Sequence, residues 1–258
     1  MLPKAQRIIV LGTTSATARR THIRRMTQPS LFLSHGAPDL VLADVSAHRF
    51  LRRLGERLER PDAIVIASAH HESPVPSVRP PERFEALHDF GNFDRRLFAI
   101  RYDPPGAPAL ADEARALLAA AGFDARNDTR TAIDHGAWVP LSLLVPGADI
   151  PVVMVSIAPD KDSRWHERLG AALAPLRRKN VLVIGSGSIS HNLRAVFSSR
   201  EGDGREWVEE FTNWLEEGVR LGDRERLLSA MATAPSDARK HPADAHLLPF
   251  FLRLAAGG

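Results

Sequence analysis

Four short apolar runs constrain the fold more than any other feature of the chain: SLFLS at 30–34, DAIVIASA at 62–69, PVVMVSI at 151–157 and NVLVIG at 180–185. Each is rich in Val, Ile or Leu and lacks the polar alternation of a strand with one wet face. Each therefore reads as a strand covered on both sides, as in the sheets of α/β proteins. Between the runs the pattern turns helical. In Ala107–Ala121 the apolar Leu110, Ala114, Leu117 and Leu118 recur at helical spacing and Gly122 follows as a stop. Ser163–Leu176 and Glu206–Leu221 repeat the pattern, and Leu247–Ala256 reads as a closing apolar helix. The predicted fold class is α/β: a single three-layer α/β/α domain over residues 27–258, its central sheet largely parallel or mixed and flanked by helices. The Pro-rich Ser73–Pro81 is expected to be an irregular loop or an edge strand, not a domain boundary.

Composition narrows the chemistry. The 258 residues contain no cysteine, which excludes disulfides, thiolate metal sites and cysteine nucleophiles. Any metal site must then be built from His and carboxylate. The net charge is only +3, with arginines scattered among nearly as many Asp and Glu, which argues against a nucleic-acid surface. No uninterrupted apolar segment approaches the roughly 20 residues that span a bilayer, so a cytoplasmic enzyme without membrane contact is expected. Residues 1–25 are basic, rich in Ser and Thr, and free of Asp and Glu. That composition resembles a transit peptide, but Met26 opens MTQPSLFLSHGAP just before the first strand. The simpler reading is a disordered N-terminal extension, either a dispensable tail or an upstream start.

The chain carries eleven histidines, and five stand in matching contexts: His35 in LFLSHGAP, His70 in IASAHHE, His135 in IDHGAWVPL, His191 in GSGSISHNL and His246 in HPADAHLLPF. Three of these close an apolar strand or follow a Gly/Ser turn after one, which gathers them at one sheet edge, where α/β proteins bind their ligands. A lone histidine at a strand end is ordinarily a satisfied hydrogen-bonding residue. Several together point instead to imidazole ligands for Fe(II), Zn or a similar ion. A phosphate cradle at GSGSIS lacks the full glycine spacing and the Lys of a P-loop, and a Ser-His hydrolase lacks a G-x-S-x-G elbow. Two further readings stay open: a zinc-dependent hydrolase, and a non-enzymatic metal-binding protein of the same fold.

The five segments in this order, with HDFGNF at 88–93 and YDPPGAPALA at 102–111, resemble the class III extradiol ring-opening dioxygenases (LigB-like), in the 4,5-DOPA dioxygenase branch. The resemblance runs from about Pro29 to Pro249. It implies a non-haem Fe(II), or Zn(II) as isolated, held by His35, His70 and His246, with His135 and His191 as the catalytic pair that handles protons. It implies a small catechol and O2 as substrates, and leaves the oligomeric state open between monomer and homodimer. Residue 245, commonly Glu in that branch, is Ala245 here with Asp244 beside it, which puts the site's carboxylate in question.

Several neighbours carry lesser expectations. Asp134 is read as a turn cap before an orienter of His135, and Trp138 as a core aromatic before a pocket wall. His71 is expected to point away from His70, and Glu72 to approach the site only if a turn brings it in. His88 and Asp89 match a family motif without an assigned role. His22, His48 and His166 sit in charged, surface-like contexts.

Overall fold

The computed structural model describes residues 27–189, 205–235 and 244–257. The expected extension over residues 1–25, His22 and His191 lie outside the described residues. In chain order the strands are β1 (Ser30–Ser34), β2 (Ala63–Glu72), β3 (Ser77–Arg79), β4 (Glu85–Ala86), β5 (Arg126–Asn127), β6 (Ala132–Ile133), β7 (Val152–Ile157) and β8 (Val181–Gly187). Six of them form one sheet in the order β1-β8-β2-β7-β3-β5, and β4 pairs with β6 apart from it. The four inner and N-terminal strands β1, β8, β2 and β7 run parallel, whereas β3 runs antiparallel to β7. The sheet is thus mixed.

The long helices are α1 (Ser46–Arg57), α2 (Pro108–Ala120), α3 (His135–Leu144), α4 (Ser163–Leu173), α5 (Arg205–Leu221) and α6 (Leu248–Ala256). Side chains alternate across a strand, and the four parallel strands use both faces fully. Leu31, Leu33, Ile64, Ile66, Met154, Leu182 and Ile184 pack with α1 and α3 on one face. Phe32, Val65, Ala67, Val153, Val155 and Val183 pack with α2, α4, α5 and α6 on the other. Two apolar layers sandwich the sheet, and each fully buried aliphatic side chain contributes roughly 1.5–3 kcal/mol. This is why the four runs carry no polar alternation.

The structure differs from the sequence reading in several places. Strand β2 does not stop at Ala69 but continues through His70, His71 and Glu72, and its register against β7 jumps between Ala67 and Glu72. That bulge gives β2 extra residues at its C-terminal end, a common device beside active sites. The helix from Ser163 ends at Leu173 and gives way to a 3-10 turn over Ala174–Lys179, because Pro175 has no N–H to continue the α-helical ladder. Ser77–Arg79 of the Pro-rich stretch pairs with both β7 and the short β5, so it is neither loop nor edge. His166 is not on the surface: it is 0% exposed.

Candidate active site

The site assembles because three parallel strands end together. β1 and β2 both flank β8, so His35 just after β1, His70 near the end of β2 and Ser186 near the end of β8 share one edge and the α3 face. His135 is the first residue of α3. Its helix is capped by Asp134, whose Oδ1 accepts from the Ala137 N–H at 3.2 Å and from Ser68 Oγ at 2.6 Å. Gly136 is what lets the helix start sit here. A Cβ at that position would stand 2.4 Å from Ser68 Oγ and 2.8 Å from His70 Cδ2.

His246 arrives from the far end of the sequence, on the turn Asp244–His246 that precedes α6. Its carbonyl accepts the Ser188 N–H at 2.8 Å. Gly187 makes the approach feasible, because a Cβ there would come within 2.0 Å of the His246 carbonyl oxygen.

Four imidazoles therefore converge. Ring centroids lie 5.1 Å apart for His35 and His70, 5.4 Å for His35 and His246, 4.9 Å for His70 and His246, and 4.0 Å for His70 and His135. His35, His70 and His246 each bring a ring nitrogen within 4.8 Å of the others, and in a second set a carboxylate oxygen of Asp89 lies within the same distance of ring nitrogens of His70 and His135. His35 is 2% exposed and His246 8%. A largely buried group of imidazole nitrogens with a carboxylate alongside suits a divalent transition metal with open positions, and the residues present fit such an ion.

Hydrogen bonds fix what each ring offers. His135 Nδ1 lies 2.7 Å from Asp89 Oδ1. Burial pushes the Asp89 carboxyl up, but the hydrogen bond with His135 leads the opposing effects, and the group is held below its ordinary value. An ionised carboxylate only accepts, so Nδ1 carries the proton and Nε2 is left open. His35 Nδ1 lies 3.1 Å from Ser186 Oγ, and that hydroxyl in turn donates to the Gly136 carbonyl.

His71 belongs to a different network on the opposite side of β2. Its Nε2 lies 3.1 Å from both Ser77 Oγ and Asp128 Oδ2, and Asp128 also accepts from Arg79 Nε at 2.8 Å. Burial pushes the His71 imidazole below its ordinary value, so the ring stays neutral. The Asp128 carboxyl, though pushed up by burial, is held well below the carboxylate range by His71, Arg130 and Arg79.

Of the five histidines singled out in the sequence, the structure brings together His35, His70, His135 and His246, and His191 lies outside the described residues. Asp134 is a helix cap, as expected. Trp138 is fully buried, with Nε1 donating to the Leu87 carbonyl at 2.9 Å. Glu72 sits in the strand, opposite Ile157. Asp89 and Ser186 were not assigned roles in the site. Asp89 lies in the HDF segment that matches a family motif, and Ser186 lies in the GSGSIS stretch. Neither carried a spacing signal, because each acts across the fold.

Comparison with known proteins follows the same line. Residues 29–258 match the family described as the catalytic LigB subunit of aromatic ring-opening dioxygenase. Two curated relatives are each named 4,5-DOPA dioxygenase extradiol. The one from Beta vulgaris is 37% identical over 89% of this chain and 87% of its own length. The one from Portulaca grandiflora is 38% identical over 89% and 86%. A crystal structure of an uncharacterized protein from Escherichia coli K12 superimposes with a TM-score of 0.73 at 31% identity, covering 89% of this chain and 88% of that one.

Proposed function

Starting from the premise that the chain belongs to the LigB family and is an extradiol ring-cleaving dioxygenase, we propose that it opens the ring of a catechol with O2 to give a muconic semialdehyde. The single observation that carries this reading is the convergence of His35, His70 and His246, with the His135 ring centroid 4.0 Å from that of His70. A 4,5-DOPA dioxygenase acts on a dihydroxyphenyl ring, and the relatives that bear this name match nearly the whole chain.

On this reading His35, His70 and His246 hold Fe(II), or Zn(II) in the protein as isolated. Such an ion, when bound, would supply Lewis acidity toward the catechol hydroxyls and a shared centre for ring and dioxygen. The chain's own residues do the rest. His135 accepts a catechol proton at Nε2, because Asp89 keeps the other nitrogen protonated. The same imidazole returns the proton as the ring opens. His191 is assigned the companion proton step from its place in SHNL. Phe90, edge-on to His135 at 5.8 Å, and Phe93 against Phe90 at 5.4 Å form an aromatic rim suited to a planar ring. Both atoms of O2 end in the product, so one catechol consumes one O2.

The test is dissolved oxygen. Protein purified anaerobically and reconstituted with Fe(II) is mixed with a panel of catechols, L-DOPA and protocatechuate among them. Stoichiometric uptake with a yellow product, lost in His35→Ala and His70→Ala, is the expected result. No uptake across the panel, with metal demonstrably bound, overturns it. Zinc content with ester or amide turnover in its place would indicate a hydrolase.

A further inference from the structure

We infer that Ser186 is a positioning residue that fixes His35 as an Nε2 donor, using a backbone carbonyl that Pro140 leaves open. The inference rests on the reading of His35 as a metal ligand and goes beyond it by naming what selects the ligating atom.

The argument begins inside α3. Pro140 sits within this helix, and a proline has no N–H to donate to the carbonyl four residues back. That carbonyl belongs to Gly136. Its ladder position is vacant, and the proline ring crowds it away from the helix axis. Ser186, fully buried on β8, donates its hydroxyl to this oxygen. Here the count of protons decides the rest.

A serine hydroxyl has one proton and two lone pairs, and a carbonyl oxygen can only accept. Once the proton is directed at Gly136, Ser186 Oγ meets its other neighbour as an acceptor. That neighbour is His35 Nδ1, at 3.1 Å. Nδ1 therefore carries the hydrogen, and the lone pair of the neutral ring is on Nε2. A free imidazole exchanges readily between its two tautomers, and metal binding needs the correct one. Ser186 makes that choice before any metal arrives. The backbone at His35 is held to the same strand, since its N–H donates to the Gly187 carbonyl at 3.1 Å. Strand β8 thus sets both the position and the tautomer of the ring.

Two measurements test this. The first uses wild-type, metal-free protein labelled with 15N and reads the His35 ring by long-range 1H–15N correlation. The Nδ1–H tautomer is expected, and the Nε2–H tautomer overturns the inference without any variant. The second titrates Zn(II) into wild-type and Ser186→Ala protein in competition with a chromophoric chelator. Loss of such an outer hydrogen bond weakens metal affinity by about 10- to 100-fold, so S186A is expected to bind Zn(II) at least ~10-fold more weakly. Unchanged affinity in folded S186A overturns the inference while leaving the metal reading intact. A wild-type protein that takes up no Zn(II) overturns the metal reading and this inference with it.

Discussion

At residue scale, the site depends on partners more than on the rings themselves. Asp89 holds His135 in one tautomer through a 2.7 Å bond, so Asp89→Ala is expected to lower kcat by roughly 10- to 100-fold, with a much smaller change in KM. Steady-state oxygen uptake at varied catechol measures this split. Gly136 makes a second case: Gly136→Ala places a methyl 2.4 Å from Ser68 Oγ and 2.8 Å from His70 Cδ2. It should displace His70 and remove metal binding together with activity, which metal content per chain would show. His35 and His70 were legible because apolar strands run into them, and His135 and His246 through the resemblance of DHGAW and HPADAHLLP to family segments. Their partners were not legible. Asp89 reaches His135 from a loop 46 positions away, and Ser186 reaches His35 across 151, distances over which no local pattern exists. The carboxylate question raised by Ala245 has a similar answer. Ala245 packs against the apolar layer, and among the described residues Asp89 is a carboxylate that stands within 4.8 Å of two imidazoles.

At the scale of elements, α4 carries a buried charge switch. His166 Nδ1 lies 2.8 Å from the Asp162 carbonyl, and its Nε2 accepts the Ala158 N–H at 3.2 Å. Both nitrogens are committed in the neutral ring, and burial pushes its pKa down to about 4 from an ordinary 6.5. The unfolded chain thus binds a proton here between those values that the folded chain refuses, so stability is complete above about pH 6.5 and falls as pH drops toward 4. The loss is on the order of 3 kcal/mol. Urea midpoints across that window should fall less steeply for His166→Gln than for the wild type. The sequence hid this residue because SRWHERLG surrounds it with charge, although helical spacing turns it inward. The four strands were readable from their unbroken apolar runs. Helix α1, SAHRFLRRLGER, was not, since arginines fill its outer face and only Ala47 and Leu51 are buried. Helix α3 was not either, because Gly136 and Pro140 give it the look of a loop.

At the scale of the whole molecule, the candidate metal ligands come from the residue after the first strand, from the second strand and from the turn before the last described helix. An ion held there ties the C-terminal segment to the sheet. A ligand that binds only the folded state stabilises it by about 4 kcal/mol at a free concentration a thousandfold above Kd. For a chain of this size that corresponds to a rise in Tm on the order of 10 °C. Thermal melts with and without Fe(II) or Zn(II) should show it, and His246→Ala should lose most of the increment. Among the described residues no helix is long and apolar enough to cross a membrane.

The turn that bears His246 has one more consequence, which concerns synthesis. A ribosome delivers His35 and His70 early and His246 only after most of the chain has emerged. Until then the nascent protein holds two imidazoles at a sheet edge and lacks the third that closes the set. A chain truncated before that turn would lack both the third imidazole and α6, whose Phe250, Phe251 and Leu252 pack into the apolar layer on one face of the sheet, so candidate site and core are completed by the same last stretch of synthesis.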